Sequence, residues 1–334
     1  MFVASCNADE NTKSTLNRIQ PRRRNMTDQK KILILVDGSE RSMRTVQYVA
    51  QAGVFKAFKL VLFHVFSGIP GCYWDMERTD INREAISQLL AWENTQKNAI
   101  ETFFQAAREV LLKEGFSDDA IKSVLHPRQE GVARDIIKEV EQGDYAAVVL
   151  RRRGVGAIEG LIVGSVANKL FSQLKSCPII VAGQLPTNQK LLLAIDGSPS
   201  SLKAVDFVAE YVGGRHYSVG LIHVTRGFGG LAPDEPDFMM PSEYFELEHN
   251  AMMRIFSDTR EKLVKAGFDA SKIEEKIVTG AYSRAGAIVR EAEAGGYTTI
   301  VAGRRGLSRL QEFFMGSVSS KIIHVGAKFS VWLI

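Results

Sequence analysis

The chain carries short, uninterrupted apolar runs that are separated by amphipathic stretches. Ile32 to Val36 and Leu191 to Ile195 show no alternation of polar and apolar positions, which is typical of strands buried on both faces of a sheet. After each run, apolar residues recur at every third or fourth position, as they do over residues 43–50, which indicates an amphipathic helix. Strands that alternate with helices in this way predict an α/β fold, with parallel sheets covered by helices on both faces.

This pattern occurs twice along the chain. The segment KILILVDGS at 31–39 returns as KLLLAIDGS at 190–198, a shift of 190 − 31 = 159. A His-Val pair at 64–65 returns at 223–224 with the same shift, whereas later motifs return with a shift of 152. Internal repetition on this scale indicates two homologous domains. We predict a disordered basic tail at 1–29, a first repeat at 30–183, a linker at 184–189 and a second repeat at 190–334.

The fourth apolar run of the second repeat leads into a glycine-rich loop. Gly303 and Gly306 are three residues apart, and nine residues separate Gly306 from Gly316 and Ser317. Because glycine has no Cβ, backbone amides can approach a bulky anion at these positions. A helix predicted at 318–325, with Ser317 as its cap, adds unpaired N–H groups and the positive end of the helix dipole. The pattern favours phosphate binding; the alternative is that these glycines form an ordinary turn and loop.

Two further motifs are expected beside this loop. Asp196 follows the first strand of the second repeat, and Val224 ends the second strand. Ligands of parallel α/β sheets bind outside the carboxyl ends of the strands, where the strand order reverses. Asp196, Val224 and the Gly303 loop should therefore border one crevice. Asp196 could accept hydrogen bonds from a ribose or a base edge, or it could brace the turn into the following helix.

Composition argues against several functional classes. No apolar run approaches the roughly 18 residues that a membrane span needs. Cys6, Cys72 and Cys177 show neither metal-ligand nor redox spacing, which indicates a reducing, cytoplasmic setting and no protein-ligated metal. The formal charge of +4 is concentrated in residues 1–25, which hold 5 − 2 = +3, so the rest carries only 4 − 3 = +1. We therefore expect no nucleic-acid partner, and we expect Met26 to be the natural start of the protein.

In this order along the chain, the motifs resemble those of the universal stress protein domain. They are Asp-Gly-Ser after the first strand, His-Val at the end of the second, and G-2x-G-9x-G-[ST] after the fourth. The resemblance covers about residues 30–334 and implies a five-stranded parallel sheet in each repeat, with strand order 3-2-1-4-5. It also implies that copies with the full glycine pattern bind ATP with a bridging Mg²⁺. Carried over to the second repeat, the implied cofactor-binding residues are Ala194, Ile195, Asp196, Val224, Ala302, Gly303, Gly306, Gly316, Ser317, Val318 and Ser319.

The first repeat departs from this glycine pattern. Arg151 stands where the second repeat has Gly303, although Gly154 and Gly164 remain. A long cationic side chain there could close the site, or it could reach for a phosphate instead. We expect the first repeat to bind ATP poorly. In the second repeat, the side chains of Arg304 and Arg305 could add charge to the site or could be solvated.

The sequence shows no catalytic constellation beside this site. It contains no base adjacent to a nucleophile, no paired carboxylates at a spacing useful for catalysis and no complete Walker motif. The leading hypothesis is an ATP-dependent regulatory protein of stress responses that acts on a protein partner. The alternatives are a slow ATPase or autophosphorylating phosphotransferase, and a scaffold without a functional nucleotide. Family members commonly pair through their last strands, so the runs at 179–181 and 331–334 could pair within the chain as a pseudo-dimer, and a homo-oligomer is possible.

Overall fold

The computed structural model describes residues 29–69, 83–151, 164–226, 242–305 and 316–334. The strands are β1 (Lys31–Leu35), β2 (Lys59–Phe66), β3 (Ile121–Pro127), β4 (Tyr145–Arg151), β5 (Ile179–Ala182), β6 (Lys190–Ala194), β7 (Ser218–Arg226), β8 (Ile273–Ala281), β9 (Thr299–Ala302) and β10 (Ser330–Leu333). The helices are α1 (Glu40–Gln51), α2 (Arg83–Lys113), α3 (Val132–Gly143), α4 (Ser165–Gln173), α5 (Pro199–Val212), α6 (Ser242–Lys265), α7 (Arg284–Ala294) and α8 (Ser317–Val325). The predicted tail, except for its last residue, lies outside the described residues.

All ten strands belong to one continuous sheet, in the order β3-β2-β1-β4-β5-β10-β9-β6-β7-β8. Each repeat contributes five strands that are parallel to one another, in the order 3-2-1-4-5. Hydrophobic clusters cover both faces of the sheet, which explains why the central strands are apolar throughout. The predicted α/β fold with two doubly wound units is confirmed.

The two repeats join through their last strands. β5 and β10 are antiparallel, and Trp332 on β10 is opposite Ile180 on β5. The indole of Trp332 is 2% exposed, and its Nε1 donates a hydrogen bond of 3.0 Å to the hydroxyl of Tyr48. Its ring lies 6.2 Å from the rings of Phe55 in the first repeat and Phe207 in the second. The predicted pairing of the last strands within one chain is confirmed.

The starts of α5 and α8 show how the local sequence sets a helix end, and the start of α8 corrects one prediction. Ser198 caps α5 by accepting a hydrogen bond from the amide of Ser201, and Pro199 occupies the first turn, as expected. The prediction that Ser317 caps α8 is wrong, because Gly316 occupies the cap position in an extended conformation and Ser317 is already helical. Among the residues that the structure describes, no side chain caps this helix. In the described ranges, no helix is both long enough and apolar enough to cross a bilayer.

Candidate nucleotide-binding site

A cavity of about 440 Å³ opens at the carboxyl ends of β6, β7 and β9 in the second repeat. This is the edge of the sheet where strand order reverses, and the volume lies within the range of small-molecule sites. Ten of the eleven residues predicted to bind the cofactor line the cavity; the eleventh, Gly306, lies outside the described residues. The ten are Ala194, Ile195, Asp196, Val224, Ala302, Gly303, Gly316, Ser317, Val318 and Ser319.

The turn after β6 holds Asp196 at the wall of this cavity. One carboxylate oxygen, Oδ1, accepts a 3.0 Å hydrogen bond from the amide of Ser198, while the amide of Asp196 donates to Ser201 Oγ at 3.4 Å. Gly197 follows with φ of +73°, a left-handed conformation that side chains disfavour. Asp196 therefore braces the turn through one oxygen. It can still offer its carboxylate to the cavity.

Gly303 lies directly against the first turn of α5. A Cβ at this position would come within 2.7 Å of the carbonyl carbon and Oγ of Ser200 and of the amide of Ser201. Real Cβ atoms essentially never approach backbone so closely. Glycine is thus required here for packing, in addition to any role toward a ligand.

Hydrogen bonds fix the two described ends of the glycine loop to each other. The hydroxyl of Ser319 donates to the carbonyl of Gly303 at 2.7 Å, and the amide of Gly316 donates to the carbonyl of Arg304 at 2.7 Å. The amide of Arg305 donates to Ser200 Oγ at 3.2 Å. Ser319 is therefore part of the frame of the loop, and its side chain is buried.

The N-terminus of α8 opens into the cavity. Gly316, Ser317, Val318 and Ser319 line the cavity, and no side chain of the described residues satisfies the amides of the first turn. Such amides point along the helix axis and carry the positive end of the helix dipole, so they suit a phosphate oxygen. The residues present therefore fit the phosphate end of a nucleotide.

His223 and Glu248 form a polar group in the lining of the cavity. From the sequence, His223 was named as part of the His-Val motif, but neither residue was assigned to the site. His223 Nδ1 lies 2.7 Å from the carbonyl of Ile195, so Nδ1 is the donor and Nε2 is left as an acceptor in the neutral ring. Nε2 is buried without a hydrogen-bond partner in the described part of the chain, and Glu248 Oε1 lies 3.8 Å from it. A ligand donor or a water molecule could bridge the two acceptors.

Helices α6 and α7 cover the cavity with residues that the motifs did not include. On α6, Glu248, Met252 and Ile255 recur at the spacing of one helical face, and all three line the cavity. This helical spacing is the sequence signal from which these three residues could have been predicted to face the cavity. On α7, Arg284 lines the cavity and its Nε donates to the carbonyl of Val224 at 3.2 Å.

The first repeat has a cavity of similar volume, about 440 Å³, at the equivalent edge of the sheet. Asp37 and His64 line it, and His64 Nδ1 lies 2.9 Å from the carbonyl oxygen of Val36. The equivalent contact in the second repeat, from His223 to Ile195, is 2.7 Å. Burial raises the pKa of Asp37, but hydrogen bonds from Ser39 outweigh burial and the net pKa is lowered. Arg151 lines this cavity at the position of Gly303.

Arg304 connects the glycine loop of the second repeat to the first repeat. Its side chain is buried and donates from Nη1 to the carbonyl of Leu174 and from Nη2 to the carbonyl of Phe171, the latter at 2.8 Å. These carbonyls belong to the C-terminal turn of α4, where a cation is favoured. Burial first, and then the charge of Arg305, lower the pKa of Arg304. The sequence left open whether the Arg304 side chain adds charge to the site or is solvated. The structure supports neither alternative.

Two doubly wound α/β units, each with a crevice at its switch point and joined through their last strands, define a tandem pseudo-symmetric protein. A sequence profile of the Universal stress protein family matches residues 29–182 and 187–334. The chain belongs to the universal stress protein family.

Similar proteins have the same family name. Universal stress protein YxiE of Bacillus subtilis is 30% identical over 138 residues, 40% of this chain and 90% of its own. Universal stress protein Slr1230 of Synechocystis is 25% identical over 247 residues, 72% of this chain and 76% of its own. The crystal structure of a universal stress protein from Archaeoglobus fulgidus superposes with a TM-score of 0.60 at 17% identity, covering 91% of this chain and 97% of that one. The last likeness supports the fold alone.

Proposed function

We propose that the second repeat binds ATP and that the protein acts as a nucleotide-dependent regulator in the stress response. The observation that carries this proposal is the N-terminus of α8, which faces the same cavity as Asp196 and Gly303 and has no side-chain cap from any residue that the structure describes. The phosphates of a nucleotide would lie at the N-terminus of α8, and its nucleoside would lie between the ends of β6 and β7.

In this proposal the nucleoside lies against Ala194, Ile195 and Val224, and the carboxylate of Asp196 accepts a hydrogen bond from a ribose hydroxyl or the base. The phosphates lie at the amides of the loop and of α8, namely Gly303, Gly306, Gly316, Ser317, Val318 and Ser319. Mg²⁺ would bind phosphate oxygens and offset their charge.

Regulation requires that ATP prefer one conformation of the protein over another. Arg304 offers a physical route, because it belongs to the loop beside the phosphates and holds the C-terminal turn of α4 in the first repeat. We propose that loop geometry set by ATP is transmitted through Arg304 to a surface that a protein partner recognises.

The experiment is a calorimetric titration of Mg-ATP into the full chain and two matched variants. Asp196→Ala removes the proposed nucleoside contact, and loss of a hydrogen bond to a charged group should weaken binding by about 2 kcal/mol, roughly thirtyfold in Kd. Asp37→Ala makes the same change in the first repeat and should leave the affinity unchanged. If Asp37→Ala weakens ATP binding and Asp196→Ala does not, the nucleotide belongs to the first repeat and the proposal is wrong.

A second candidate is a slow ATPase or autophosphorylating phosphotransferase. It is favoured by Glu248 and His223, two groups able to accept a proton, at one wall of the cavity. Phosphate release from ATP by purified protein that disappears with Glu248→Gln, while ATP still binds, would support it. A chain that binds ATP without measurable turnover would leave the regulatory proposal in place. A chain that pairs its repeats through β5 and β10 but binds no ATP would be a scaffold.

A further inference from the structure

The two repeats have different residues on both sides of one contact in the cavity wall. In the second repeat Gly303 packs on Ser200. The shifts of 303 − 151 = 152 and 200 − 41 = 159 place Arg151 and Arg41 at the equivalent positions of the first repeat. Both arginines line the first cavity. A close backbone contact is thus replaced by two long cationic side chains around a space of about 440 Å³.

These arginines lie in an unfavourable electrostatic setting. Arg41 occupies the first turn of α1, at the positive end of the helix dipole, where cations are disfavoured. Burial, and then the charges of Arg44 and Arg41, lower the pKa of Arg151. Arg44 is paired with Glu40 at 3.3 Å, but within the described ranges neither Arg41 nor Arg151 has an ion-pair partner. An anion between the two guanidinium groups would relieve this repulsion.

The surroundings of the first cavity add to the positive potential. The helix α4 begins at this cavity with Gly164 at its cap position, and no side chain in the described ranges caps it. Val132 and Val166 also line an adjoining cavity of about 360 Å³, whose charged lining residues are Arg128, Arg134 and Lys169 with one carboxylate, Glu130. Asp37 is the carboxylate in the first cavity, and it is engaged by the amide and hydroxyl of Ser39.

We infer that the first repeat binds a phosphate-type oxyanion through the guanidinium groups of Arg41 and Arg151, in place of a glycine-loop cradle. Guanidinium groups bind phosphate oxygens through paired, charge-assisted hydrogen bonds. Two of them can therefore supply the hydrogen-bond donors that backbone amides would supply in a glycine-rich loop. The site is separate from the proposed ATP site of the second repeat and does not depend on it.

The test is arginine labelling with phenylglyoxal on the full chain, read peptide by peptide by mass spectrometry. The probe is inorganic pyrophosphate, compared with sodium chloride at equal ionic strength. At about ten times its Kd, pyrophosphate fills roughly nine-tenths of the sites, so labelling of Arg41 and Arg151 should slow about tenfold. Arg44, one turn from Arg41 and outside the cavity, is the internal control and should change little.

Two variants and a second probe complete the test. In Arg151→Gln, pyrophosphate should no longer protect Arg41, whereas in Arg44→Gln it should. ATP in place of pyrophosphate distinguishes a free phosphate from a nucleotide as the source of the anion; protection by either supports the site. Labelling of Arg151 that neither probe slows beyond chloride, or protection of Arg41 that survives Arg151→Gln, would overturn the inference. Arg305 in the second cavity reports separately on the proposed ATP site.

Discussion

The two cavities have the same volume and the same frame, but they differ at the end where a phosphate would bind. Both have an aspartate after the first strand and a histidine that bonds back to that strand. At the other end, the second cavity has Gly303 in close contact with α5, and the first has Arg151. The residues that shape the crevice can therefore stay the same while those proposed to contact an anion change.

The largest expected effect concerns the pairing that holds the two cavities in one sheet. Trp332→Ala removes a buried indole at the junction of the repeats and should destabilise the protein by about 3–5 kcal/mol, measured by chemical unfolding. Ile180→Val, at the facing position on β5, is the matched control and should cost about 1 kcal/mol. Equal, small costs for the two variants would show that the repeats are stable without this junction.

Arg304→Met tests the connection between the second loop and the first repeat. Methionine keeps an unbranched apolar side chain but leaves the carbonyls of Phe171 and Leu174 without their donor, which should cost about 2 kcal/mol of unfolding free energy. Arg305→Met, at the exposed neighbouring position, should change stability by less than about 0.5 kcal/mol. Equal effects at the two positions would contradict the bridging role of Arg304.

Gly303→Val and Arg151→Val place the same side chain at equivalent positions of the two cavities, so their effects on ATP binding can be compared directly. Valine at 303 must displace the backbone of Ser200 and Ser201, which should cost about 1–3 kcal/mol and abolish ATP binding measured by calorimetry. Arg151→Val should leave the ATP affinity of the second repeat unchanged, because residue 151 lines the other cavity. Thermal unfolding establishes that Gly303→Val is folded. Retention of ATP affinity by folded Gly303→Val would separate the loop from nucleotide binding.

Much of the fold could be predicted from the sequence because its signals are local. Continuous apolar runs gave the strands, and the repeated Asp-Gly-Ser and glycine motifs gave two copies of one unit. The start of α8 was misplaced by one residue because Gly316 and Ser317 are both acceptable cap residues. Sequence alone does not decide between them.

The site was predictable where its residues follow strand ends, and less so elsewhere. Asp196 lies two residues after β6 and Gly303 directly follows β9, so topology brings them to one edge of the sheet. Glu248 lies on a helix whose apolar spacing shows a buried face but not what that face covers. The contacts of Arg304 depend on how the other repeat packs, and no local pattern contains that information.

The most direct test of the central claim is the nucleotide content of gently purified protein, measured by denaturing it and separating what is released by chromatography. We expect about one ATP per chain, retained in Asp37→Ala and lost in Asp196→Ala. Absence of nucleotide, together with no calorimetric binding of added Mg-ATP, would contradict the claim that the second repeat is an ATP site.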